Sequence, residues 1–135
     1  MKLSTKGRYS LQTLVHLATC KENCSIRKIS EATGISSGYL EQLMIPLRRA
    51  QLVVAERGVN GGYRLARSGI TCHDVLVASE GDFHPAPCKE CEKNGLCKTH
   101  QIWSLLQHTV IEFAKDVYIE DLASHLVESG TGGGI

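Results

Sequence analysis

The chain has 135 residues, 42% of them hydrophobic, which suits one domain or a small domain with a helical extension, its core formed without staples. Its net charge of +1 hides a division: residues 1–67 hold eleven Lys/Arg against four Asp/Glu, whereas residues 68–135 hold four against ten. A first half at +7 beside a second at −6 points to a polyanion as the first half's partner. Six cysteines are too few and too unevenly placed for a disulfide scaffold, and no apolar run approaches membrane-spanning length. With no apolar signal core at the N-terminus, the expectation is a cytoplasmic protein with no membrane partner.

Leu11, Leu14, Val15, Leu17 and Ala18 recur with helical spacing and predict a helix over about residues 7–19. After the polar break at Lys21-Glu22-Asn23, Ser25 reads as the cap of a second helix that turns Ile26 and Ile29 inward and stops at Gly34. Ser36 or Ser37 can cap a third helix, with Leu40, Leu43 and Leu47 on its inner face. Two short helices across a tight Gly-containing turn make a helix-turn-helix. Pro46 removes a backbone donor and is expected to kink or end the third helix near Gln42 or Leu43. The β-favouring run 52–56, the turn 57–62 and Tyr63-Arg64-Leu65-Ala66 predict a hairpin, and a helix-turn-helix followed by a basic-rooted hairpin is a winged helix.

Thr71-Cys72-His73-Asp74 has the capping-box pattern and predicts a helix through Val75, Leu76 and Ala78 that ends at Gly81. A Cys-rich loop fills about residues 82–98. From Thr99, residues Ile102, Trp103, Leu105, Leu106, Val110, Phe113 and Val117 describe a long amphipathic helix, apolar enough for self-association. Leu122, Ala123 and Leu126 mark a last short helix, and the Gly-rich tail 128–135 reads as disordered. The fold class is therefore mainly α with a small β-hairpin wing. Residues 1–67 are the winged helix-turn-helix, and residues 68–127 are a helical dimerisation region carrying a metal loop at 82–100.

That loop holds Cys88, Cys91, Cys97 and His100, written C-x2-C-x5-C-x2-H. Thiolates and imidazole are the ligands that soft and borderline metals prefer, and four complete one tetrahedral site or one small cluster. Spacing alone fits a Cys3His zinc site and a two-iron cluster equally well. A redox dithiol at Cys88 and Cys91, a thiol–disulfide enzyme, is a remote alternative without the usual βαβ setting. His84 is a reserve ligand. Cys20 and Cys24 read as buried or free thiols rather than ligands, and His16, His73, His108 and His125 as ordinary helix residues. Cys72, in the first turn of its helix, either packs or has a lowered pKa. No hydrolase triad, phosphate loop or paired-carboxylate motif is present, so neither an enzyme nor a small-molecule substrate is expected.

Lys2-Leu3-Ser4-Thr5-Lys6-Gly7-Arg8-Tyr9, Gly34-Ile35-Ser36-Ser37-Gly38-Tyr39-Leu40-Glu41-Gln42-Leu43, Arg57-Gly58 through Gly61-Gly62-Tyr63, and Cys97-Lys98-Thr99-His100 with Trp103 together resemble the IscR-type winged-helix regulators, over about residues 1–127. The resemblance implies a homodimer packed along the long helices and a [2Fe-2S] cluster held by Cys91, Cys97 and His100, with Cys88 as the candidate fourth ligand. The first two cysteines stand closer together here than is usual in that family. The cysteine-metabolism branch of the family offers the alternative of a structural zinc, or no metal, with control through a protein partner.

On double-stranded DNA, a roughly palindromic operator, Lys2, Lys6 and Arg8 are expected at phosphates, with Ser4 and Tyr9 as neutral donors. Ser36, Tyr39, Glu41 and Gln42 form the leading face of the third helix. Glu accepts from cytosine and Gln pairs with adenine, so Glu41 and Gln42 are the base-reading candidates. The resemblance links the position of Glu41 to discrimination between DNA site types. Arg57 at the wing root is expected in a minor groove.

Overall fold

The computed structural model describes residues 3–81 and 98–128, with side chains through residue 124. Lys2, the loop 82–97 with His84, Cys88, Cys91 and Cys97, and the tail 129–135 lie outside the described residues, as do the side chains of His125 and Leu126. Helix α1 (Thr5–Thr19) starts earlier than periodicity indicates, because the Ser4 hydroxyl accepts from the Gly7 backbone N–H and caps it. Ser25 caps α2 (Ile26–Thr33) in the same way, and Gly34 ends it in the left-handed conformation at φ 79°. Ser36, rather than Ser37, caps α3 (Ser37–Arg49).

Pro46 does not end α3 near Gln42 or Leu43; the helix continues to Arg49. Leu43, Met44 and Leu47 are all buried to within 1% of complete, on both sides of the proline. An interior proline costs about 3 kcal/mol, whereas burying a Leu or Met side chain stabilises by about 1.5–3 kcal/mol, so three anchors outweigh one lost donor.

The hairpin forms as strands β1 (Val53–Glu56) and β2 (Gly62–Leu65), antiparallel, with Val53 opposite Leu65 and Glu56 opposite Gly62. It is fastened to the helices by a separate bridge. Cys24 N–H donates to the Tyr63 carbonyl at 2.9 Å, and Tyr63 N–H returns to the Cys24 carbonyl at 2.8 Å. The approach is too close for a side chain at Gly62, which sits at φ 142° and where a Cβ would fall 2.6 Å from the Cys24 carbonyl group.

Helix α4 (Cys72–Glu80) opens on the complete capping box, Thr71 accepting from Asp74 N–H and Asp74 from Thr71 N–H. Helix α5 (His100–Lys115) leads to α6 (Ile119–Glu128). Ile119 N–H donates to the Ile70 carbonyl at 2.9 Å and Cys72 N–H to the Val117 carbonyl at 2.7 Å, so the segment before α6 is stitched to the segment before α4. Consequently Ile119 is fully buried in one core with Leu14, Ile29, Leu40, Leu47, Ile70 and Val75. Residues from both halves of the chain share that core.

Burial alone would raise the Asp74 carboxyl, but the Thr71 N–H and the Arg67 guanidinium at 3.3 Å outweigh it and hold the carboxyl below its ordinary 3.8. The stability this contributes is present above that value and is lost as pH falls below it. Thr71→Ala is expected to cost about 1 kcal/mol in urea denaturation at pH 7. Asp74→Asn should flatten the decline in stability below pH 4; an acid limb as steep as that of the unmodified protein would contradict the assignment.

Candidate DNA interface and metal-ligating residues

Tyr9 and Tyr39, thirty positions apart, meet edge-on with ring centroids 5.7 Å apart and planes at 87°. The contact fixes the start of α1 against the start of α3, so the two stretches singled out as phosphate-positioning and base-reading belong to one part of the surface. Lys6 and Arg8 are exposed beside Tyr9, and Ser36, Glu41 and Gln42 are exposed along the leading turns of α3. Arg57 is exposed in the turn after β1. Ser4 has other partners: besides capping α1, its hydroxyl donates to the Glu80 carboxylate.

Several bases of the positive half are already paired. Arg27 meets Glu31 at 3.1 Å, Arg64 meets Glu56 at 3.1 Å, and Arg67 meets Asp74 at 3.3 Å. Asn23 donates to Glu56 at 2.9 Å and to the Asn60 carbonyl at 3.2 Å, tying the loop after α1 to the wing's turn. Those bonds, from Asn23 and then Arg64, hold the Glu56 carboxyl below its ordinary value and keep it charged beside the wing. Lys6 and Arg57 form no ion pair with the described residues.

Of the four loop ligands, His100 alone is described. It is the first residue of α5, half-buried, with Nε2 3.3 Å from the Ser104 hydroxyl. One turn on, Trp103 donates to the Thr99 hydroxyl at 3.0 Å, which sets the indole against the helix start. Beyond it α5 presents an apolar face to solvent, with Ile102 62%, Leu105 63% and Phe113 69% exposed.

The structure also brings together residues that the sequence reading set aside. His16 Nε2 lies 3.7 Å from Cys20 Sγ and 3.7 Å from Cys24 Sγ. Burial, then a hydrogen bond with Cys20, pushes the Cys24 thiol up to about 11. Cys72 departs from the lowered pKa open to a residue at a helix start. Desolvation by burial pushes its thiol up.

The family model Rrf2, described as an iron-dependent transcriptional regulator, matches residues 3–125. The chain belongs to the Rrf2 family. A putative HTH-type transcriptional regulator of Azotobacter vinelandii is 38% identical over 131 residues, covering 92% of this chain and 80% of the relative. The structure of CymR, the global cysteine regulator of B. subtilis, superposes with a TM-score of 0.80 at 36% identity, covering 93% of this chain and 98% of that one. T. potens IscR superposes at 0.81 with 30% identity, covering 99% and 94%. This Rrf2 chain is thus a winged-helix DNA-binding transcription regulator, and its relatives are named as regulators rather than enzymes. No helix of the described residues is long and apolar enough to cross a membrane.

Desolvation raises the Cys72 thiol above its ordinary 9.0, so an unfolded Cys72 ionises more readily than the folded one and folding stability falls as pH rises through that region. In urea denaturation at pH 8 and pH 10.5, Cys72→Ala should lose less stability over the interval than the unmodified protein; equal losses would contradict a thiol raised by its half-buried setting.

Proposed function

We propose that the chain acts as a homodimeric regulator whose occupancy of a palindromic operator is set by a [2Fe-2S] cluster at Cys88, Cys91, Cys97 and His100. The observation that carries this reading is the position of His100, which ends the Cys-rich loop and opens the helix whose apolar face is left to solvent. The donor set fits the group: three thiols and an imidazole satisfy two irons, and one imidazole in place of a thiolate makes the cluster less negative and raises its potential. Such a cluster supplies a one-electron couple and a ligand set that iron shortage or oxidants can dissolve.

The chain's own residues do the rest. His100 is the first residue of α5, so a change at its ring bears on the helix that carries Ile102, Leu105 and Phe113. Burying that face against a second copy would set the spacing of two reading heads. Lys6, Arg8 and Arg57 would hold phosphates and the minor groove, and Tyr9 would hold α3 in place. Glu41 and Gln42 would then read bases in the major groove. A coupling of about 1–3 kcal/mol between loop and helix spacing is enough to change operator occupancy several-fold or more. Residues 1–67 would be the reading unit and residues 68–127 the pairing and sensing unit, in a cytoplasmic protein.

A second reading has its own support, the 36% identity to a cysteine regulator along nearly its whole length. In it the loop holds zinc, or nothing, and a protein partner supplies the signal.

Two experiments test these roles. In fluorescence anisotropy on a selected operator, Arg8→Ala should weaken binding to every sequence and lower the salt slope by about one, whereas Arg57→Ala should weaken binding most to operators with a narrow A·T segment under the wing. Gln42→Ala should instead relax base preference, by about 1–3 kcal/mol at one position. Indifference to all three would sink the interface. Protein purified without oxygen should be red-brown, with iron and sulfide, and should bleach on changing Cys91, Cys97 or His100 to Ala. Colourless protein whose zinc is released by Cys91→Ala would establish the second reading.

A further inference from the structure

We propose that His16, Cys20 and Cys24 form a second metal site, for a thiophilic cation such as Zn2+ or Cu+, at the root of the wing. It uses none of the residues of the Cys88–His100 loop. Its ligand atoms, one imidazole nitrogen and two sulfurs, all lie within 4.8 Å of one another, with the nitrogen 3.7 Å from each sulfur. Metal bonds near 2.3 Å to sulfur and 2.0 Å to nitrogen, at tetrahedral to trigonal angles, require nitrogen–sulfur separations of about 3.5–3.8 Å. The imidazole nitrogen therefore stands at the separation one shared ion requires from each sulfur, and the two sulfurs lie within 4.8 Å of each other. Binding is a ligand exchange without electron transfer: two thiols give up two protons to solvent, and two sulfur–metal bonds and one nitrogen–metal bond form.

Sulfur and imidazole ligands select d10 ions such as Zn2+ and Cu+ over magnesium or calcium. Three protein ligands suit a trigonal Cu+, or a Zn2+ that keeps one position for water. A cleft of about 680 Å³ reaches Cys20 and is lined by Asn23, Glu56, Asn60 and Arg64 among others. The cysteines are free thiols, Cys24 buried and Cys20 half-buried at the end of α1.

The placement gives the ion a role. His16 and Cys20 belong to the last turn and C-cap of α1, whereas Cys24 is the residue whose backbone pairs with Tyr63 of β2. An ion shared by the three would clamp α1, the loop 20–24 and the wing hairpin together.

The test uses the full chain carrying Cys88→Ala, Cys91→Ala and Cys97→Ala, kept reduced, so that the loop contributes no thiolate. Added Co2+ should bind at one equivalent and give near-ultraviolet sulfur-to-metal charge-transfer bands. Competition with Zn2+ and with chelated Cu+ then shows which ion the site prefers. Adding Cys20→Ser or His16→Gln, both at part-exposed positions that leave the core filled, should weaken Co2+ binding by about 100-fold or more. Circular dichroism confirms that these variants fold. Amide exchange at Cys24 and Tyr63 should slow on metal binding in the parent chain. Absence of the bands, or bands that survive both substitutions, would overturn the site. Neither outcome bears on whether the loop binds a cluster.

Discussion

Two backbone hydrogen bonds between Cys24 and Tyr63 hold the wing to the helices, and much of the molecule's surface chemistry depends on them. A two-stranded hairpin is marginal by itself in water. Here it is tethered at Tyr63, and Asn23 adds side-chain bonds to Glu56 and Asn60. The tether requires Gly62, because any β-carbon there would meet the Cys24 carbonyl group. Arg57 owes its position to this arrangement, being carried in the turn whose two ends are both fixed.

The same tether explains why metal-competent residues gather at the wing root. Cys20 and Cys24 have the spacing of neighbours on a helix, yet α1 ends at Thr19 and the two thiols lie in unlike local structures. Their meeting at His16 is a product of the loop's return to β2, which nothing in the local spacing encodes. The sequence reading took them for ordinary thiols because it weighed each by its own neighbourhood.

Features written in a few adjacent residues were legible in advance. Ser25, Gly34, Ser36, Thr71 with Asp74, and Gly81 all mark helix ends where expected, since each end is a local hydrogen-bond problem with a local answer. Winged-helix architecture followed from those ends and from the glycine-rich turn. What could not be read locally was decided by burial: α3 persists through Pro46 because Met44 and Leu47 are core residues, and Ile119 joins the core although Glu120 and Asp121 follow it directly. Desolvation likewise raises the Cys72 thiol, which its place in the first turn of α4 does not reveal. On the interface side, the Tyr9–Tyr39 contact joins two stretches that sequence motifs mark only separately.

Ile119 also has a consequence for the order in which the molecule is made. Its side chain completes the core around Leu14, and its backbone N–H is the partner of the Ile70 carbonyl. On the ribosome, the first helix therefore emerges long before the residue that finishes its packing. Until the segment beyond residue 117 has been synthesised, the apolar face of α1 has no complete cover, and the nascent reading head is exposed to chaperones and to its own neighbours on the polysome.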